Sequence, residues 1–397
     1  VDRQTLRKKQ NKGSALRSTL SVNGRVQLRR RHYHSRGEGN VTPSDDLLDV
    51  VHDTISLATR QLCCQLNRAS RSFEMTAQNL KKAAQLSLSH ETVRQAVESD
   101  GKAVLEQSRR GQLGPTWHAS QCKRPDDGRS LVYLSSDAFM APTITDAQKQ
   151  ARRRKVLDKR KGRGGRKHRL GPVKRGTDQR YKEFKAVMFY DHELEHKHVS
   201  VTRGDCRSAG RLMSREAWRL GFAAADQRVG NIDGGPWIIN QIQRQRLKMT
   251  AVGLDFFHLS ENVHKTRRIV FGEDDAQGRR QAEDLLHTVK HEGYEPMREK
   301  LMQLRSKTRR AKRQETDRLI EYVSDRREMI RYPQFLANGW HIGSGPMESQ
   351  CRVVPHRVKG AGKRWDPDNA EAIMALEAMY QSGQCSAYWK LAMCGRN

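Results

Sequence analysis

The sequence holds little from which to build cores: of its 397 residues, 36% are hydrophobic and 6% aromatic. That composition predicts modest cores joined by long polar connections, and the length predicts two or three domains of roughly 100 to 200 residues. Long apolar runs are missing. No stretch of ~18 or more apolar residues occurs, which excludes a membrane-spanning helix. The opening VDRQTLRKKQNKGSALRSTL lacks the apolar centre and small-residue cleavage site of a secretory signal, so secretion is not expected. Cysteine is sparse and unpatterned. Its seven copies, at 63, 64, 122, 206, 351, 385 and 394, include no Cys-x-x-Cys pair, which points to reduced cytoplasmic thiols rather than a disulfide framework or a zinc site. The nucleotide-binding pattern Gly-x4-Gly-Lys-Ser/Thr is absent too, and GRGG at 162–165 lacks the strand-to-helix setting of a phosphate-binding turn.

Negative charge is the remaining scarcity. Lys and Arg number 75 against 45 Asp and Glu, giving a formal charge of +30 and a pI near 10.2. Nucleic acid is the expected partner of such a surplus, because neutralising phosphates releases counterions and supplies most non-specific affinity.

Along the chain, residues 1–40 are rich in Arg, Lys, Gly and Ser without a sustained apolar period and are expected to form a flexible basic arm. Residues 41–110 turn helical. Leu47, Leu48, Val51, Ile55, Leu62 and Leu66 fall mostly at helical spacings after Ser44, a suitable N-cap. A second helix, FEMTAQNLKKAAQL, and a third opening at Ser89 follow within a few residues. Together they outline a helix-turn-helix, with Thr92, Arg94 and Gln95 on the opening turns placed to meet base edges. A polar linker over 108–129 leads to the strand LVYLSSD, which is expected to end at Asp137. The tract from 149 to 175 has fourteen Lys/Arg and one Asp, cannot bury a core and is expected to be a solvated loop. Within it Arg152, Arg153, Arg154, Arg163, Arg166 and Lys167 are candidate phosphate contacts.

FKAVMFY (184–190) and HKHVSVTR (196–203) read as an antiparallel hairpin across the turn DHELE. A helix over SAGRLMSREAWRLGFAAA, a strand ending at Asp233, a helix over GGPWIINQIQRQR and a strand ending at Asp255 come next. Residues 259–331 are charged and amphipathic, an inserted helical domain. In 332–397, Gly343, Gly345 and Pro346 precede a helix bearing Glu348, and Asp366 with Pro367 opens the last long helix.

Strand, hairpin, helix, strand, helix, strand, helical insert, helix is the order of a ribonuclease-H-like core. The predicted fold class is therefore α/β: a mixed five-stranded sheet with a helical insertion, divided between 130–258 and 332–397, behind an α-helical amino-terminal region. Asp137, Asp233 and Glu348 fall where such a core gathers carboxylates around two divalent ions roughly 3.5 to 4 Å apart. Oxygen ligands with open water positions select magnesium or manganese. In this strand order the fourth strand lies beside the first and the fifth one place farther. Asp233 should then start about 5 Å from Asp137 and Asp255 nearer ~10 Å, so Asp255 is expected to cap the next helix or, with His258, to support the ligands.

The segments YLSSDAFMAP, NIDGGPWI, VGLDFFHLSENV, GWHIGSGPMESQCR and RVKGAGKRWDPDNAEAIMALEAMYQSG resemble those of ISKra-type insertion-sequence transposases, a DDE family, over about residues 41 to 390. The resemblance implies metal-dependent DNA cleavage at insertion-sequence ends and strand transfer into target DNA by an oligomer assembled on DNA in the bacterial cytoplasm. It places Asp137, Asp233 and Glu348 on the acidic triad and Asp255 with His258 on an Asp-x-x-His pair. The chain departs from the pattern in having Ala138 after Asp137, HYHSRGEGN (32–40) in place of paired amino-terminal cysteines, and altered residues at Lys363 and Cys385. A catalytically inactive, end-binding descendant is the alternative reading.

Overall fold

The computed structural model describes residues 8–37, 39–44, 54–161, 170–360 and 362–394. In chain order the elements are β1 (Gln10–Ser21), β2 (Gly24–Ser35), β3 (Gly39–Val41), α1 (Leu57–Ala69), α2 (Phe73–Ala84), α3 (His90–Arg110), β4 (Leu131–Pro142), α4 (Asp146–Lys161), β5 (Tyr181–Asp191), β6 (Lys197–Thr202), α5 (Cys206–Arg219), β7 (Gln227–Ile232), α6 (Pro236–Arg244), β8 (Ala251–Leu254), α7 (Phe256–Phe271), α8 (Ala276–His291), α9 (Tyr294–Lys307), α10 (Arg310–Asp325), α11 (Tyr332–Ala337), α12 (Gly345–Val353), α13 (Pro367–Gln381) and α14 (Cys385–Cys394). They divide into two units. One is Gly114–Pro355 with Gln381–Gly383; the other joins the chain before Gly114 to His356–Tyr380 and the segment from Gln384 onward.

The first of these is a mixed five-stranded sheet in the order β6-β5-β4-β7-β8. β5 runs antiparallel to β4 and β6, whereas β7 is parallel to both β4 and β8. β4 takes the central place because its apolar run is buried on both faces: Leu131, Val132, Tyr133 and Leu134 are all inaccessible to solvent. Toward one face, Val132, Leu134, Val187 and Phe189 share a core with Leu212 and Met213 of α5, Ile238 and Ile242 of α6, and Leu259 and Val263 of α7. On the alternate residues, Tyr133 stacks between Tyr190 and His341, at 5.1 and 5.0 Å. Strand β4 continues past Asp137 to Pro142, because its antiparallel pairing with β5 outlasts its parallel pairing with β7. Asp137 thus sits inside a strand, not at its end as the sequence suggests.

The expected solvated loop is in part a helix. Helix α4 spans Asp146–Lys161 and buries nothing; no Gly or Pro interrupts it, and Ala, Gln, Lys and Arg are good helix formers even without a packed face. Arg163, Arg166 and Lys167 lie outside the described residues. The insertion is helical as anticipated, with α7 to α10 between β8 and α11.

The second unit overturns two expectations. Residues 1–40 are read as an arm, but the strands over 10–41 form a three-stranded antiparallel sheet, β1-β2-β3. Val22 and Asn23 make its tight turn and Gly24, which follows, is the residue that accepts a positive φ there. Ser21 faces Gly24 across a two-residue turn, Gly24 takes φ +105°, and the Ser21 hydroxyl accepts from Asn23 N–H while donating to Gly24 O. Of the first predicted helix, Leu47, Leu48 and Val51 are outside the described residues and Ile55 bridges to Leu20; the helix itself, α1, starts after Ser56, whose hydroxyl caps Thr59 N–H. The other revision concerns the carboxyl end. Helices α13 and α14 join this amino-terminal unit rather than the five-stranded sheet, because α13 is apolar on nearly all sides and must be surrounded. Gly101 of α3 lies so close to Ala372 that a Cβ would come 2.5 Å from the Ala372 carbonyl. Arg68 pairs with Glu377, and Arg60 with Asp100, to which Tyr388 also donates at 2.9 Å.

Candidate functional site: an acidic row across three parallel strands

The β4–β7 pairing runs from Leu131 opposite Gln227 to Leu134 opposite Gly230. Carried three residues on, the register sets Asp137 level with Asp233. The β7–β8 pairing ends with Ile232 opposite Leu254, so the next residues, Asp233 and Asp255, are level as well. Asp137 on β4, Asp233 just past β7 and Asp255 just past β8 therefore occupy corresponding positions of three adjacent parallel strands, whose spacing is about 4.8 Å.

Each acid is held differently. Asp137 is half-buried, accepting from its own neighbour Ala138 N–H at 2.6 Å and from the Cys351 thiol at 3.3 Å. Asp233 accepts from Gly235 N–H at 2.8 Å across a turn in which Gly234 has φ +78° and no room for a Cβ, which would meet Leu254 and Arg326. Burial raises the Asp233 carboxyl above its ordinary range; Asp137 and Asp255 push the same way, against the Gly235 N–H and His258. Asp255 is buried, caps α7 through Phe257 N–H at 2.8 Å and accepts from the Ser344 hydroxyl. The capping role expected for it is met. His258 is half-exposed and sits 3.3 Å from Glu261.

Glu348 is brought to the neighbourhood but not into the row. Its helix is fixed by the loop before it: His341 N–H donates to Tyr133 OH, Asn231 donates to His341 O, Trp340 donates to Gln227, and Phe256 N–H donates to Ile342 O. Cys351, one turn beyond Glu348, touches Asp137, and residues three apart share a helix face. The Glu348 carboxylate itself is exposed and paired with Arg352. Among the described residues, the group of three metal-ligating side chains with donor atoms all within 4.8 Å of one another is Cys122, Asp191 and His196, not the acidic trio.

The candidate nucleic-acid contacts are dispersed. Thr92 bonds to the capping Ser89 hydroxyl at 2.9 Å. Arg94 is clasped by Glu91 and Glu98, and Gln95 donates to Glu91. All three side chains are thus engaged within the opening turns of α3. On α4, Arg152 and Arg154 are exposed, and Arg153 donates to the Gly171 and Leu170 carbonyls. Sequence reasoning missed three features: Cys351 against Asp137, Ser344 on Asp255, and a cavity of about 630 Å³ beside the amino-terminal sheet, lined by Lys8, Lys9, Arg29, Arg31 and Tyr33. For the last, the signal was available in the alternation of LRRRHY. No protein-family model matches the chain, and no curated protein matches it.

Proposed function

We propose that the chain is a DDE transposase with a ribonuclease-H-like core, cleaving DNA at insertion-sequence ends and joining the freed 3′ ends to target DNA as an oligomer assembled on that DNA. The observation that carries this reading is the level placement of Asp137 and Asp233 on adjacent parallel strands, with Asp137 contributing to the raised proton affinity of Asp233. Further support comes from the strand order, third-second-first-fourth-fifth along the chain with the second antiparallel, and from the +30 charge.

Carboxylates crowded by neighbouring strands repel, and an all-oxygen donor set with open positions fits magnesium or manganese. Asp137 and Asp233 would hold such ions from the strands and Glu348 from α12, after leaving Arg352. Ions held by Asp137, Asp233 and Glu348 would supply Lewis-acid activation of the attacking hydroxyl and charge stabilisation for the leaving 3′ oxygen. Asp255 supports this indirectly, tying the start of α7 to the loop before α12 through Ser344, and His258 adds positive potential beside Asp233. The α2–α3 pair acts as the end-reading helix-turn-helix, Arg94 exchanging its glutamates for base edges, while α4 grips phosphates irrespective of sequence.

The pairing of Glu348 with Arg352 favours a second reading, an end-binding protein that does not cut. One assay separates them. Duplex DNA carrying the gene's own flanking repeats, incubated with the protein and magnesium, should be nicked and joined; Asp137→Asn, Asp233→Asn and Glu348→Gln should each abolish both products with DNA binding retained. Binding without cleavage by the unaltered chain selects the second reading.

A further inference from the structure

At the opposite end of the sheet from the acidic row, we propose a second, chemically distinct metal site: a zinc centre formed by Cys122, Asp191 and His196. The inference is independent of the transposase reading. Asp191 pairs with Val132, five residues before Asp137 on β4, which separates the two places by about 16 Å along the strand.

The three residues come from three chain segments. Cys122 closes the short turn leading into β4, and its carbonyl accepts from Leu131 N–H at 2.9 Å. Asp191 ends β5, and His196 precedes β6 across the hairpin turn. Their ligating atoms lie within 4.8 Å of one another, whereas tetrahedral zinc–ligand distances of 2.0 to 2.3 Å set ligands on the order of 3.5 Å apart. Small side-chain rotations close that gap. The turn is already organised for it: Asp191 accepts from His196 N–H at 3.1 Å with one oxygen and meets His196 Nδ1 at 2.9 Å with the other, and Trp117 packs edge-on against the imidazole at 5.6 Å.

A second observation concerns the thiol. Cys122 is 5% exposed and, among the described residues, its sulfur has no hydrogen-bond partner, although it faces a carboxylate and an imidazole. Charge and donor type identify the ion. Thiolate and carboxylate supply two negative charges, matching a divalent cation with neutral imidazole as third ligand, so the centre is neutral in a largely buried setting. A mixed sulfur, nitrogen and oxygen set suits zinc rather than magnesium. On binding, the Cys122 S–H proton is released to water and the metal–sulfur bond replaces it. The imidazole is 36% exposed, which leaves the fourth position to water. The metal would pin the β5–β6 turn to the entrance of the central strand.

The test is cobalt substitution of the full chain after chelator treatment. One equivalent of cobalt should give tetrahedral visible bands and a thiolate-to-cobalt charge-transfer band, both displaced by zinc. Cys122→Ser should remove the charge-transfer band. His196→Ala, at a partly exposed position and with its fold checked by circular dichroism, should weaken binding by more than roughly tenfold, the scale lost on removing even an outer-shell partner. Asp137→Asn and Cys351→Ser should retain the band, which keeps this result separate from the fate of the acidic row. Absence of the band in the unaltered chain, its persistence in Cys122→Ser, or unchanged affinity in His196→Ala overturns the proposal.

Discussion

At the residue scale, Asp233 and Asp100 show opposite uses of a buried acid. Asp233 has its carboxyl raised by burial and by its neighbours, so the native state holds the Asp233 proton more tightly than the unfolded chain does. Stability then falls as pH rises from the unfolded value near ~3.9 through the native value, and the full cost is present above the native value. Asp233→Asn cannot ionise. It is expected to raise the thermal midpoint at pH 7, to leave it unchanged below the unfolded value, and to abolish cleavage; melts at the two pH values check the sign, and a lower midpoint at pH 7 would contradict it. Asp100, fully buried, instead neutralises Arg60 at 2.5 Å and accepts from Tyr388. Asp100→Ala removes the carboxylate that neutralises a buried guanidinium and should cost about 3–5 kcal/mol, read by denaturant titration. The role of Asp100 is not visible in the sequence, where it is a single acid among 45, whereas Asp233 stands out after its strand. Asp255 was more legible: a carboxylate between a strand and a helix is the residue type that caps, and it does so.

At the scale of elements, α4 and the β1–β2 hairpin mark where composition misleads. Both are basic and polar, and both are regular structure. In α4 an uninterrupted run of good helix formers suffices; in the hairpin a two-residue turn followed by Gly24 at positive φ sets the register. Neither needs the apolar period that a sequence reading searches for. Because α4 buries none of its residues, the exposed Arg152 and Arg154 can meet phosphate, and Arg153 lies between them. Replacing Arg152, Arg153 and Arg154 by Gln should weaken end DNA and random DNA alike and reduce the slope of log affinity against log salt by up to about 0.9 for each phosphate left unneutralised. Filter binding at several salt concentrations measures this; a loss confined to end DNA would assign α4 to base reading instead.

At the scale of the whole molecule, the carboxyl-terminal segment belongs with residues far from it in the chain. Helix α13 buries Ala370, Ala372, Ile373, Met374 and Leu376 against a unit that begins before β4, so truncation after Pro355 should unfold that unit rather than trim the protein. Hydrogen exchange should show α1 to α3 losing protection while the β4, β5 and β7 amides keep theirs; retained protection in α3 would contradict the division. By itself the sequence determined strands β4 to β8, the helical insertion, the basic surplus and the acids Asp233 and Asp255 that follow their strands, because these follow from local periodicity, capping and composition. Tertiary structure alone decided three further things. Strand register put Asp137, Asp233 and Asp255 at corresponding positions, helix packing brought Cys351 to Asp137, and chain reversal brought Cys122 to Asp191 and His196. The physical reason is common to all three: contacts between residues distant in sequence are set by which faces must be buried together, and no spacing rule along the chain encodes that.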